Sequence, residues 1–249
     1  MRGRTRRRRI ALTTAVLAAC VLVTTGCGGS GGSEPKAVKT PEYAEPDDLP
    51  ERISVDGTTI VVGWPKATTS LHLYEDLRCP ACGQFENEGN GTEVTTLAQA
   101  GKAQARYTLA SFLDDRHGDG SKRAANALRA AVERGKFTEY REVLFAAQSE
   151  EPENAFTAPR LLELASQVKG LRGKEFDAAV RTMKYRDFVR RSQQAFEKSS
   201  VRSTPSLVVD GKRIDGELAD VAMYEPGGLT YLVDNSSVLI GQDGGPGVQ

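Results

Sequence analysis

Cys79 and Cys82, in the run Arg78-Cys79-Pro80-Ala81-Cys82-Gly83, are the side chains of this sequence whose type and spacing could do chemistry. The first turn of a helix brings residues i and i+3 together, so two thiols at this spacing could close a small disulfide ring. Pro80 falls where a helix start tolerates proline, and Cys79 falls at the amino end, where N–H groups and the helix dipole favour a thiolate. Cys82, one turn further in, is the better placed resolving thiol. Exchange would then run through a mixed disulfide formed on Cys79. Two other uses of the same residues stay open. Zinc needs four ligands, and Cys79, Cys82, His72 and an acid could supply them, His117 being the one other histidine. A purely structural disulfide would gain little, because the loop it closes is so short.

The chain has four cysteines in 249 residues, and the amino-terminal pair has a different destiny. Arg2 to Arg9 form a basic segment and Ile10 to Val23 an apolar run. That run is short of the roughly 20 residues that span a bilayer and fits the apolar region of a secretory signal, expected over residues 1–26. Val23-Thr24-Thr25-Gly26-Cys27 resembles a bacterial lipobox, with Thr24 where leucine is usual. The resemblance implies that Cys27 becomes the lipid-bearing first residue of a membrane-anchored protein; plain secretion with a free Cys27 is the alternative. Cys20 would be lost with the leader. Two thiols would remain, in a compartment where disulfides persist.

Formal net charge is zero, but six arginines sit before residue 10. Without the leader, 27 Lys and Arg face 33 Asp and Glu, a balance that argues against a nucleic-acid partner. Residues 27–50, rich in Gly, Ser, Pro and acid, read as a flexible linker. Order is expected from Ile53, in a domain over 51–240 followed by a loose tail at 241–249. Ile53 to Val62 predicts a hairpin around Asp56-Gly57. Leu71 and Leu73 alternate with His72 and Tyr74 in a strand that runs into the cysteines, and His72, on the face opposite the leucines, reads as packing or surface. A helix should start at Cys79 or Pro80 and be kinked or broken by Gly89-Asn90-Gly91. Ala105 to Phe112 predicts the next strand. Helical patterns follow at Ser121–Arg134 (capped by Ser121 and stopped by Gly135), Phe137–Ala147, Ala158–Val168 and Phe176–Phe196. Ser206–Val209 and Lys212–Ile214 flank Asp210-Gly211 as a second hairpin, and Leu229–Val233 predicts a short closing helix. The whole is α/β, one element interrupted by helices at about 118–198.

Asp76 to Glu86 resembles the active-site segment of DsbA-type thiol–disulfide oxidoreductases of the thioredoxin superfamily, including actinobacterial envelope proteins. Val201 to Leu207 resembles the loop that carries that superfamily's cis-proline. The resemblance implies a thioredoxin fold with a helical insertion between the CxxC half and the cis-Pro hairpin half. Cys79 and Cys82 would be catalytic, with Pro80 and Ala81 as neighbours, and Pro205 would be cis beside Thr204, both contacting substrate. No metal or cofactor beyond the cysteine pair is implied. Partners would be exported cysteine-containing proteins and a membrane protein that recharges the dithiol. The buried acid that many relatives carry six residues before the first cysteine is Leu73 here, leaving its role to Glu75, Asp76 or water. Ala81, where oxidising members often have histidine, implies a less depressed Cys79 pKa and a less oxidising couple. A thioredoxin-fold lipoprotein that only binds envelope clients, its disulfide structural, is the competing reading.

Overall fold

Strict alternation along Thr69–Glu75 puts Leu71, Leu73 and Glu75 on one face of a strand and His72 and Tyr74 on the other. In the computed structural model, which describes residues 40–115, 118–148 and 156–239, that strand lies inside a mixed sheet. Its strands are β1 (Glu51–Ile53), β2 (Ile60–Val62), β3 (Thr69–Glu75), β4 (Ala103–Leu109), β5 (Ser206–Val209) and β6 (Lys212–Arg213), in the order β1-β2-β4-β3-β5-β6. β3 and β4 run parallel, with Leu71 opposite Ala105, and the remaining pairs are antiparallel. Leu71 and Leu73 are fully buried, each contributing about 1.5–3 kcal/mol of transfer free energy.

The parallel pair is joined by two helices, α1 (Pro80–Asn87) and α2 (Gly91–Gln99). Gly89-Asn90-Gly91 breaks the helix outright. Buried Asn90 gives its N–H to the Met223 carbonyl and its amide to the carbonyls of Ala222 and Glu225, 2.7–2.9 Å away. A Cβ on Gly91 would lie 2.3 Å from Glu86 Oε2, so the break also brings backbone against that carboxylate.

Between β4 and β5 the described chain is helical: α3 (Gly120–Val132), α4 (Phe137–Gln148), α5 (Ala158–Ala165), α6 (Lys174–Thr182) and α7 (Arg186–Lys198). The single helix expected over Phe176–Phe196 is two. Met183 takes a left-handed conformation (φ 51°), and buried Asn126 satisfies both sides of the break, donating to the Ala179 carbonyl and accepting from the Tyr185 N–H. Nor does Ser121 cap α3. Its side chain is fully buried, and Asp114 receives the N–H groups of Ser121 and Lys122 at 2.9 Å instead. Glu51 does the same for α4 from β1, accepting from Phe137 and Thr138.

After β6 come α8 (Gly216–Tyr224), α9 (Gly228–Asp234), where a closing helix is expected, and α10 (Ser236–Leu239). Asp210 and Gly211 both have positive φ (49° and 84°), as the two-residue turn of the second hairpin requires. The first hairpin is wider: Ile53 pairs with Ile60, and Ser54 and Asp56 hold the loop through side-chain hydrogen bonds. Order begins before Ile53. Leu49, within the expected linker, is 4% exposed, and Tyr43 packs on the core with its N–H on the Gln99 carbonyl. Phe112, expected to end β4, opens a 3-10 turn instead. The expected leader at 1–26 with Cys20, the expected acylation site Cys27, His117 and the expected tail at 241–249 lie outside the described residues. No described helix is long and apolar enough to cross a membrane.

Candidate active site

The chain leaves β3 through Asp76, whose carbonyl accepts the Cys79 N–H at 2.9 Å. Cys79 then caps α1 in an extended conformation with Pro80 behind it in the first turn. Both cysteines are free thiols; Cys79 is 9% exposed and Cys82 1%. Pro80 is the exposed residue of the motif and Ala81 is half-buried. The Cys82 thiol donates to the Cys79 sulfur, and together with the Thr204 hydroxyl and the N–H groups of Cys82 and Ala81 it holds the Cys79 thiol down to about 6 from an ordinary 9.0, against the opposing effect of burial. Burial pushes the Cys82 thiol well above its ordinary value, and the hydrogen bond to Cys79 and the charge there push the same way. One sulfur is thus disposed to be a thiolate near neutral pH and the other to keep its proton.

The peptide bond between Thr204 and Pro205 is cis. When Cys79 is protonated its thiol donates to the Thr204 carbonyl, 3.2 Å away. The Thr204 hydroxyl is buried beside the Cys79 sulfur, whose ionisation it favours, and has no hydrogen-bond partner elsewhere or within strict bonding geometry among the described residues. The structure therefore brings the two halves of the expected site together, although they stand 125 residues apart in the chain.

Neither acid near the motif is idle. Asp76, fully buried, accepts from the Ser121 hydroxyl at 2.6 Å and the Arg78 N–H at 3.0 Å, and burial raises it to about 6. Arg78 is tied to Asp114 at 3.0 Å, so the carboxylate that caps α3 also fixes the residue before Cys79. Glu75 lies behind Cys82, its charge disfavouring a thiolate there, and burial raises its own pKa. Arg141 of α4 holds it with bonds of 2.6 and 2.9 Å. The same guanidinium lies 2.8 Å from Glu86 of α1, an ion pair out of hydrogen-bond alignment, and stacks over the rings of Tyr107 and Phe145. Leu73 is apolar and fully buried.

His72 is engaged elsewhere: Nε2 shares a hydrogen bond of 2.8 Å with the Thr108 hydroxyl and the ring stacks on Tyr74. No group of three or more His, Cys, Asp and Glu among the described residues is arranged to hold a metal ion. Three site neighbours carry no local sequence signal. Arg141 and Gln148 reach the motif from α4, and Tyr224, 38% exposed at the end of α8, is near enough for both sulfurs to raise its pKa beyond what burial does.

Residues 55–225 match the family model described as Thioredoxin. This chain belongs to the thioredoxin family, and the expected fold is present. No curated protein matches it significantly in sequence. Similar solved structures include MdbA, a thiol-disulfide oxidoreductase from Actinomyces oris (TM-score 0.61, 19% identity, covering 79% of this chain and 95% of that one). BdbD from Bacillus subtilis gives 0.60 and 18% over 75% and 96%. DsbA from Mycobacterium tuberculosis gives 0.53 and 23% over 76% and 99%. The expected likeness to DsbA-type proteins is thus present at the level of fold.

Proposed function

We propose that the protein is an extracytoplasmic thiol–disulfide oxidoreductase that exchanges disulfides with exported cysteine-containing proteins. The observation that carries this reading is the asymmetry of the pair: Cys79 is lowered to about 6 at a helix start beside the cis Thr204–Pro205 bond, while Cys82 is raised and buried. In the oxidising direction a client thiolate attacks Cys79 of the Cys79–Cys82 disulfide, and the Cys82 sulfur leaves with the electron pair and takes a proton. A second client thiolate then attacks the client sulfur of the mixed disulfide and expels the Cys79 thiolate, so two client thiols become a disulfide and the protein a dithiol. A low-pKa leaving thiolate favours this direction. Thr204 and Pro205 would align the client chain over Cys79. Cys27 would carry the lipid that anchors the protein outside the cytoplasmic membrane, where a membrane protein recharges the dithiol.

With Cys82 replaced by serine, clients should accumulate as mixed disulfides on Cys79, visible as reducible adducts on gels and absent from the Cys79→Ser protein. Absence of adducts from cells expressing the Cys82→Ser protein would contradict the exchange reading.

A further inference from the structure

Gly83 follows the cysteine motif inside α1, where glycine weakens a helix. Its backbone does not require glycine; its surroundings do. A Cβ at this position would lie 1.9 Å from Gln148 Oε1 and 2.9 Å from its Cδ. The Gln148 carboxamide, at the end of α4, occupies that space and donates Nε2 to the carbonyls of Leu77 at 2.8 Å and Cys79 at 3.0 Å. These carbonyls flank Arg78, at the point where the chain turns from strand to helix. The Cys79 carbonyl also accepts the N–H groups of Cys82 and Gly83.

Gln148 is two turns beyond Arg141 on the same helix. Arg141 holds Glu75 just before the turn and Glu86 near the far end of α1, and the Phe145 carbonyl between Arg141 and Gln148 accepts the Asn87 amide of α1. One face of α4 therefore grips the strand end, the helix and the turn that joins them. We propose that Gln148 is a positioning residue of the redox turn, its carboxamide fixing the peptide planes of Leu77 and Cys79, and that Gly83 is the space it requires. Fixing those planes keeps the N–H groups of Ala81 and Cys82 aimed at the Cys79 sulfur, and donation to the Cys79 carbonyl offsets the negative pole nearest it. This assignment rests on Cys79–Cys82 being an exchange pair, but the ionisation of Cys79 is measurable whether or not the pair exchanges.

The test is the pH midpoint of Cys79 alkylation by iodoacetamide in the reduced full-length protein, its Gln148→Leu and Gly83→Ala variants, and the double variant, with circular dichroism to verify the fold. Each single change should weaken the thiolate by about threefold to tenfold, the scale of one hydrogen bond, and the double should go no further than the larger single. Gly83→Ala replaces a poor helix former with the best one, so an upward shift there is not helix loosening. It also carries the test alone if Gln148→Leu fails to fold. Unchanged midpoints in folded variants, or two shifts that add, would overturn the assignment. A wild-type pair that never exchanges with glutathione would end the functional reading, while these midpoints still decide the role of Gln148.

Discussion

The sulfur of Cys79 receives a neighbouring thiol, a threonine hydroxyl and two backbone N–H groups, and these outweigh the burial that opposes its charge. Ala81 adds no donor side chain, so the lowering comes first from the Cys82 thiol, then from Thr204 and the backbone N–H groups of the helix start. The expected consequence is a rate of Cys79 alkylation that rises with pH around a midpoint of about 6, with Cys82 unreactive across the same range. A midpoint near the ordinary 9.0 would contradict the geometry. The cysteine pair was legible as a candidate because its spacing lets a disulfide ring close, although a zinc site and a structural bridge stayed open at the same residues. Pro205 was legible only through a resemblance, since Thr204-Pro205 by itself is an ordinary loop dipeptide. Arg141 and Gln148 were not legible: they reach the motif from 66 and 71 positions away, and nothing local distinguishes them from other helix residues, while Ser121 read as a helix cap rather than as a partner of Asp76.

Among the elements, those defined by nearest neighbours could be read from sequence. Asp210-Gly211 supplies two positive φ angles and fixes the second hairpin, and alternation fixes β3. Elements decided by distant partners could not. A continuous apolar stripe ran through Met183, but Asn126 of another helix stabilises a break there. The same holds for α3, which starts on a carboxylate from the preceding turn rather than on its own serine. The joint between β3, α1 and α4 rests on one guanidinium shared by two buried carboxylates. Arg141→Met keeps the stem that packs there and leaves both carboxylates unpaired, which should cost about 3–5 kcal/mol in urea unfolding at pH 7. A loss below about 1 kcal/mol would show that the cluster does not secure the joint.

For the whole molecule, pH acts through buried groups with opposite signs. His72 is lowered from 6.5 to about 4, chiefly by burial. The stability this implies is complete above 6.5 and is lost as pH falls toward 4, because the unfolded chain takes up the proton first. Asp76, raised from 3.8 to about 6, works the other way over nearly the same interval and masks part of the slope. His72→Phe keeps a ring against Tyr74, and Thr108 retains its contact with Thr59. Between pH 7 and pH 4.5 the wild type should lose about 2 kcal/mol more than this variant in urea unfolding; equal losses would contradict a buried neutral histidine. Redox state is coupled to the fold in the same way. A Cys79 thiolate stabilised only in the folded dithiol stabilises that form against the disulfide and makes the couple more oxidising. The most direct test is the equilibrium of Cys79–Cys82 in graded glutathione buffers, read by thiol alkylation and mass. A reversible transition within the glutathione range, at about −250 mV or higher, is the expected result. A pair that stays oxidised at every ratio, below about −300 mV, would be a structural bridge and would contradict the assignment of exchange to this site.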